Sequence, residues 1–271
     1  MNIAEFMSTL PQNVVKGETV ALPDHAIEQM FKLAGLKKSD TFFHLGCGQG
    51  EAVALAAKLG VKKAVGIEID EKVAARARRK TARLKNAEIL TGDIRDADIS
   101  SATAVLFWFS DPGVVDAMVK KFRKELKDGA RVITIWSPPG MMLPQNVDFP
   151  FFVCKKPFKY ATSVRQQIRA VYGNKCIDFT AAWLLAERYI DALGVVPGEY
   201  RRFVNMLQSM VIWINAWNMG VTCEDGVPPP VDSYLGILRE FFGIDMKDLF
   251  TRDPKSESMA IPDGDDKMGC C

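Results

Sequence analysis

Histidine is nearly absent from this chain: His25 and His44 are the only two among 271 residues. The six cysteines, at positions 47, 154, 176, 223, 270 and 271, form no C-x-x-C pair and have no histidine partners at metal-ligand spacing. The common zinc patterns are therefore excluded, and no metal is expected. Such cysteine usage fits a reduced, cytoplasmic compartment. Long apolar runs are missing too: none approaches the roughly 20 residues of a bilayer-crossing helix, so no membrane partner is expected. Met1 to Leu10 mixes Asn, Glu and Ser into its apolar residues, which is unlike a secretory leader. Neither sign of charge is in excess, with 35 Lys and Arg against 33 Asp and Glu. That balance removes any bulk attraction to nucleic acid, which is not an expected partner. One basic cluster, Lys72, Arg76, Arg78, Arg79, Lys80, Arg83 and Lys85, reads as the solvated face of a helix or as an RNA-contacting patch. The terminal Cys270-Cys271 pair reads as an exposed end. There is no internal repeat.

What is present is an ordered series of short apolar runs. Phe42-Phe43-His44-Leu45 passes into Gly46-Cys47-Gly48-Gln49-Gly50, and Glu51 to Leu59 follows with helical character. Glycines at alternate positions let a flat, polar ligand lie against bare backbone, although alone this pattern is shared by several kinds of nucleotide-binding sheet. Val65-Gly66-Ile67-Glu68-Ile69-Asp70 ends in acids about 20 residues further on, where a doubly wound sheet places a ribose-binding carboxylate. A helix is expected over 71–84 with Asp70 as its N-cap. Further runs end in Thr91-Gly92-Asp93-Ile94, in Phe107-Trp108-Phe109-Ser110-Asp111-Pro112-Gly113, and in Trp136-Ser137-Pro138-Pro139-Gly140. Strands that alternate with helices and close on small or polar residues imply a parallel α/β sheet with a crevice at its carboxyl ends.

Two cofactor classes compete for that crevice, a dinucleotide and S-adenosylmethionine. The third glycine comes one residue earlier than in G-x-G-x-x-G, and Glu51 stands where the later glycine would be. That weakens the case for a pyrophosphate on the helix N-terminus. The chain resembles class I S-adenosylmethionine-dependent methyltransferases, and within them it is similar to archaeal protein lysine methyltransferases and their mitochondrial relatives. The likeness runs from about Thr19 to Gly173. It rests on Leu45-Gly46-Cys47-Gly48-x-Gly50, on the segment from Val61 to Ile69, on Asp98-Ile99-Ser100-x-Ala102-Thr103, and on Lys124-Glu125-Leu126-Lys127-x-Gly129-x-Arg131-Val132.

The resemblance implies a seven-stranded Rossmann-like sheet with S-adenosyl-L-methionine as cofactor. It implies that Gly46, Gly48 and Gly50 line the methionine part, with Leu45 and Cys47 in the same loop. Glu68, beside Ile69, would accept from the ribose hydroxyls. Asp93 would accept from the adenine amino group, and the Ile94 amide would reach a ring nitrogen. Val20-Ala21-Leu22-Pro23 would form a lid. The family's usual acid is replaced here by His44, and often another by Gln49. A charged imidazole would repel the cofactor's sulfonium and ammonium groups, so binding is expected to weaken below about pH 6.5. The acceptors implied are lysine side chains of proteins. Amide- and base-modifying relatives place an Asn/Asp-Pro-Pro-aromatic loop after the fourth strand, and this chain has Ser110-Asp111-Pro112-Gly113 instead.

Candidate acceptor-pocket residues are Trp108, Phe109, Ser110, Asp111 and Trp136. Strand alternation sends Phe107 and Phe109 to one face and Trp108 to the other, so these aromatics divide between lining a pocket and packing under helices. Asp111 suits a proton acceptor or a helix cap. The expected organisation is an irregular arm over 1–18, a cofactor-binding domain over 19–173, a small all-α module over 174–250 and a disordered tail over 251–271. Val164 to Tyr172 reads as a strand that pairs with the run from Phe149 to Cys154. The C-terminal helical stripes suit core packing, a contact with a twin subunit, or docking within a complex. The function expected is methyl transfer to protein lysines. A small-molecule or RNA methyltransferase, or a non-catalytic cofactor-binding module, stands as the alternative.

Overall fold

The computed structural model describes residues 22–194 and 196–251. The expected arm over 1–18, Val20-Ala21 of the lid, the tail beyond Thr251 and the Cys270-Cys271 pair lie outside those residues. Helix α1 (Asp24–Ala34) starts after Pro23 and buries Ala26, Ile27, Met30 and Phe31 on one face. Gly35, at φ 59°, closes it by returning its N–H to Lys32 and Phe31 carbonyls, as a left-handed residue at a helix end does.

The central strand β1 (Thr41–Leu45) leads through the glycine loop into α2 (Glu51–Lys58). Next come β2 (Lys63–Glu68), α3 (Glu71–Thr81), β3 (Ala87–Thr91), β4 (Ala104–Phe107), α4 (Pro112–Glu125) and β5 (Arg131–Ile135). Asp70 caps α3 by accepting from the Lys72 and Val73 amides, as its position implied. Strands β6 (Met142–Leu143) and β9 (Lys159–Tyr160) form a small separate pair, while β7 (Asn146–Asp148) and β8 (Phe151–Lys155) join the main sheet. Its order is β3-β2-β1-β4-β5-β8-β7. The first five are parallel neighbours, and β8 and β7 run antiparallel. Among the described residues this is the α/β, seven-stranded sheet the sequence implied.

Alternation along the strands feeds two cores. Phe42, Leu106, Ile133 and Ile135 face α1, α2 and α3, whereas Phe43, Leu45, Val105, Phe107 and Val132 face α4 through Met118 and Phe122. One expectation is overturned: 164–172 is not a strand. It is helix α5 (Val164–Tyr172), capped by Ser163 and ended by Gly173 at φ 76°. Val164, Ile168 and Val171 recur at i, i+4 and i+7, a helical rather than a two-residue period, and β7 supplies the seventh strand instead.

Helices α6 (Phe179–Leu193), α7 (Arg201–Asn218) and α8 (Pro229–Phe242) follow, with short 3-10 turns at Gly198–Tyr200 and Lys247–Leu249. They share a third core, in which Trp213, Met210, Ala186 and Val231 are fully buried and to which Phe149, Phe152, Ile168 and Val171 contribute. Cys176 and Cys223 form a disulfide, which departs from the all-thiol usage expected of the sequence. The two cysteines flank a short parallel bridge between Ile177 and Thr222. Sequence spacing does not reveal that juxtaposition. Cys47 and Cys154 are buried free thiols.

A part-buried ion pair holds the start of β5 to the end of α1. Arg131 donates to Asp40 Oδ1 at 2.5 Å and to the Ala34 and Gly35 carbonyls at 2.7 and 2.8 Å. Burial pushes the Asp40 carboxyl up, but hydrogen bonds from Arg131, Thr103 and the Lys37 amide outweigh it and hold the carboxyl below its ordinary value. Its stabilisation is therefore present at neutral pH and lost as pH falls through the carboxylate range. Asp40→Asn should cost about 3 kcal/mol, because it leaves a poorly solvated guanidinium without its counter-charge. Urea unfolding at pH 7 measures that loss.

Candidate active site

The carboxyl ends of β1, β2, β3 and β4 enclose a cavity of about 390 Å³, lined by His44, Gly46, Cys47, Gly48, Glu68, Ile69, Asp93, Ile94, Trp108 and Phe109 from the expected set. Its volume falls in the range of small-molecule sites. It forms here because the chain leaves β1 over one face of the sheet and β4 over the other, opening a crevice between them.

The loop after β1 is shaped by glycine. Gly46, Gly48 and Gly50 have φ of 72, 54 and 83°, values that side-chain-bearing residues rarely adopt. A Cβ on Gly46 would meet the Phe109 ring at 2.6 Å, whereas one on Gly48 would meet nothing within 4 Å. Gly46 is therefore glycine for a close approach and Gly48 for its backbone angle. The Gly48 amide donates to Glu68 Oε2 at 2.8 Å, and the Asp70 amide donates to Oε1 at 3.1 Å. These two bonds aim the Glu68 carboxylate and leave lone pairs on both oxygens for further donors.

Asp93 ends the third strand region with both oxygens engaged by Arg95, whose Nε lies 3.0 Å from each. Those hydrogen bonds hold its carboxyl down at about 2. Asp93 is thus a fixed anion, and a ligand amino group would share it with Arg95. Burial, assisted by the Glu68 charge, pushes the Cys47 thiol up to about 12. It stays protonated and serves as packing.

His44 shows a sharper departure from expectation. Its Nδ1 is buried without a hydrogen-bond partner among the described residues, although the residue lines the cavity. Burial pushes its imidazole down to about 4. It is therefore neutral across the range in which an ordinary histidine becomes charged, and the expected repulsion below pH 6.5 does not arise.

Other expected residues lie elsewhere. The Leu45 side chain points into the core facing α4, Gly50 turns the loop into α2 against Ala77, and Pro23 precedes α1. None of the three lines the cavity. Asp111 lines neither this cavity nor the larger one beside it; its Oδ1 accepts from the Val114 amide at 2.8 Å and caps α4. Residues that sequence reasoning did not assign as cofactor contacts also contribute, namely Leu22, Ile27, Gln49, Glu51, Ala52, Arg95 and Val114. Leu22 lay in the expected lid segment and Gln49 in the glycine loop, but Ile27 arrives from another element and has no local signature.

A second cavity, of about 670 Å³, adjoins the first, and Trp108 and Phe109 line both. They sit just beyond the last residue of β4 and divide as alternation implied. The Phe109 ring stacks on Phe107 at 5.1 Å, while Trp108 packs toward the core facing α1. Ser110 and Trp136 also line the second cavity. Trp136 has φ 76°, unusual for a bulky residue, and its indole meets Tyr189 edge-on at 4.9 Å.

S-adenosylmethionine fits the first cavity on these observations. Bare glycine backbone, the aimed carboxylate of Glu68, the anionic Asp93 and the unpartnered His44 Nδ1 offer complementary groups to ribose, an amine and a cationic centre. Because His44 remains neutral down to about pH 4, calorimetric titration should give a cofactor Kd that is flat between pH 5.5 and 8. Fold stability should instead decline as pH falls from about 6.5, where the unfolded histidine takes its proton, toward 4.

The ANTKMT methyltransferase domain model matches residues 44–141. A protein-lysine N-methyltransferase of Saccharolobus islandicus (strain REY15A) is 35% identical over 122 residues, which cover 42% of this chain and 73% of that protein. Among solved structures, an RNA methyltransferase from Salinibacter ruber in complex with S-adenosyl-L-homocysteine aligns with a TM-score of 0.48 and 26% identity, over 53% of this chain and 98% of that one. Aeropyrum pernix fibrillarin with natively bound S-adenosyl-L-methionine aligns with a TM-score of 0.36 and 17% identity, over 42% of this chain and 56% of that one. The chain belongs to the class I S-adenosylmethionine-dependent methyltransferases, in the family that contains the Saccharolobus protein-lysine N-methyltransferase.

Proposed function

We propose that this methyltransferase acts on lysine side chains of proteins. The observation that carries this reading is the lining of the second cavity. Among the described residues, Asp116 is the one charged residue that lines it, and no lysine, arginine or histidine does. A phosphate-bearing acceptor would find no counter-charge there, whereas a long aliphatic chain ending in a cationic amine meets hydrocarbon walls and a single acid. The Saccharolobus relative, named as a protein-lysine N-methyltransferase, supports the same acceptor.

In this reading Gly46 and Gly48 admit the cofactor to bare backbone, Glu68 holds the ribose hydroxyls and Asp93 takes the adenine amino group beside the Ile94 amide. The bound cofactor supplies a sulfonium methyl group: the acceptor nitrogen forms the C–N bond, the C–S electron pair stays on sulfur, and the nitrogen's surplus proton leaves to water. The protein's contribution is alignment and desolvation. An amine with an ordinary pKa near 10.4 must first lose a proton, and the hydrocarbon surroundings of Trp108, Phe109 and Trp136 favour its neutral form. Ser110 stands at the same wall. Asp111 caps α4 through Oδ1.

The sequence's cysteine usage reads as fitting a cytoplasmic placement, and the Cys176–Cys223 disulfide pulls against it. No helix among the described residues is long and apolar enough to cross a membrane.

Glu68→Ala should weaken S-adenosylmethionine binding by about 1.5–3 kcal/mol, the loss expected for hydrogen bonds to a charged group. It should also abolish labelled-methyl transfer to lysines in cell lysate. Label that appears on RNA or on small molecules, with none on lysine, would overturn the acceptor assignment while leaving the methyltransferase itself intact.

A further inference from the structure

The second cavity is not closed by the sheet alone. Its floor is the end of β4 and β5, one side is α5 through Ile168 and Val171, and the outer wall is α7 through Ile212, Asn215 and Ala216. Ile212 and Ala216 are buried one helical turn apart, and Asn215 beside them is exposed. The helices beyond the sheet therefore complete a space that opens against the two aromatics bordering the cofactor cleft.

Thr134 lies on the floor. It is 3% exposed, and its Oγ1 is buried with no hydrogen-bond partner among the described residues. Thr134 pairs in register with Phe152 through the backbone, so the ladder does not require its hydroxyl. A valine would fill the same volume without burying an unpaired polar atom, and such atoms are rare because they oppose folding. A polar group retained at a cost to the fold, on a residue that lines a cavity adjoining the cofactor cleft, points to a ligand that satisfies it.

Building on the lysine reading, we propose that α7 forms the outer wall of the acceptor site and that Thr134 is a positioning residue at its floor. Its Oγ1 accepts a hydrogen bond from an N–H of the neutral acceptor amine. That bond fixes the nitrogen's rotation and leaves its lone pair directed past Trp108 and Phe109 toward the cofactor cleft. Asp116 at the rim attracts the cationic side chain before it loses its proton. The helical region is thus part of the acceptor site, and changes in α7 change which lysines are accepted.

The test compares wild type with Thr134→Val, Thr134→Ser and Asn215→Trp in the full chain. It measures Tm, the Kd for S-adenosylmethionine, and tritiated-methyl transfer to lysines of lysate protein. Thr134→Val should keep or raise Tm and leave the cofactor Kd within twofold, yet lower the maximal transfer rate at least tenfold. Thr134→Ser should restore most of that rate, which rescue of packing alone would not do. Asn215→Trp, at an exposed position, should raise the lysate concentration needed for half-maximal rate about tenfold with the cofactor Kd unchanged. Wild-type label on lysine that both Thr134→Val and Asn215→Trp retain overturns the proposal alone. So does a Thr134→Val variant that loses stability and cofactor affinity together. Absence of lysine label in the wild type overturns the lysine reading, and this proposal with it.

Discussion

The site depends on the position of β1 between β2 and β4. The chain that leaves β1 crosses to α2 on one face, while the chain that leaves β4 crosses to α4 on the other. Among the described residues, that divergence leaves a crevice at the carboxyl ends between them. Into that gap the glycine loop projects its amides, and one of them, from Gly48, is fastened to Glu68 on the neighbouring strand. The bond joins two segments twenty residues apart and sets both the curl of the loop and the direction of the carboxylate. Gly66 serves the same contact from below. A Cβ there would press on Cys47 Sγ at 2.7 Å and on Val53 and Ile89, lifting the loop away from β2.

Electrostatics divide the two cavities by role. The first cavity carries the carboxyl groups of Glu68 and Asp93, with Arg95 holding the second as a fixed anion. Its one histidine is kept neutral by burial. The second cavity is mostly hydrocarbon and aromatic, with Asp116 its single charge among the described residues. In the proposed function, a cationic methyl donor and an amine that must be neutral to react call for such opposite surroundings. The two aromatics after β4 line both cavities, so one short segment forms the wall they share.

Much of the cofactor side was legible along the chain because its signals are local. Alternate glycines after an apolar run, an acid at the end of the next strand and an N-cap at Asp70 each depend on spacing within about 25 residues. Where local signals are ambiguous the reading failed. Val164 to Tyr172 holds enough β-branched and aromatic residues to suggest a strand, yet its apolar positions recur at helical spacing and Ser163 caps it. Asp111 suited a proton acceptor or a cap, and its Oδ1 does accept from the Val114 amide. The histidine at 44 was expected to charge near neutrality, since nothing in a linear sequence reports that its ring nitrogen is buried without a partner.

The amino-acid sequence by itself determined the alternating α/β architecture, the glycine loop and the paired carboxylates of the cofactor cleft, because periodicity and short spacing encode backbone conformation directly. The tertiary structure alone decided how α5 and α7 meet the end of β5, how Cys176 reaches Cys223, and that Thr134, beside the second cavity, has a buried hydroxyl with no partner among the described residues. Those features depend on contacts between segments about 30 to 80 residues apart, whose geometry is set by packing of the whole chain rather than by any local pattern.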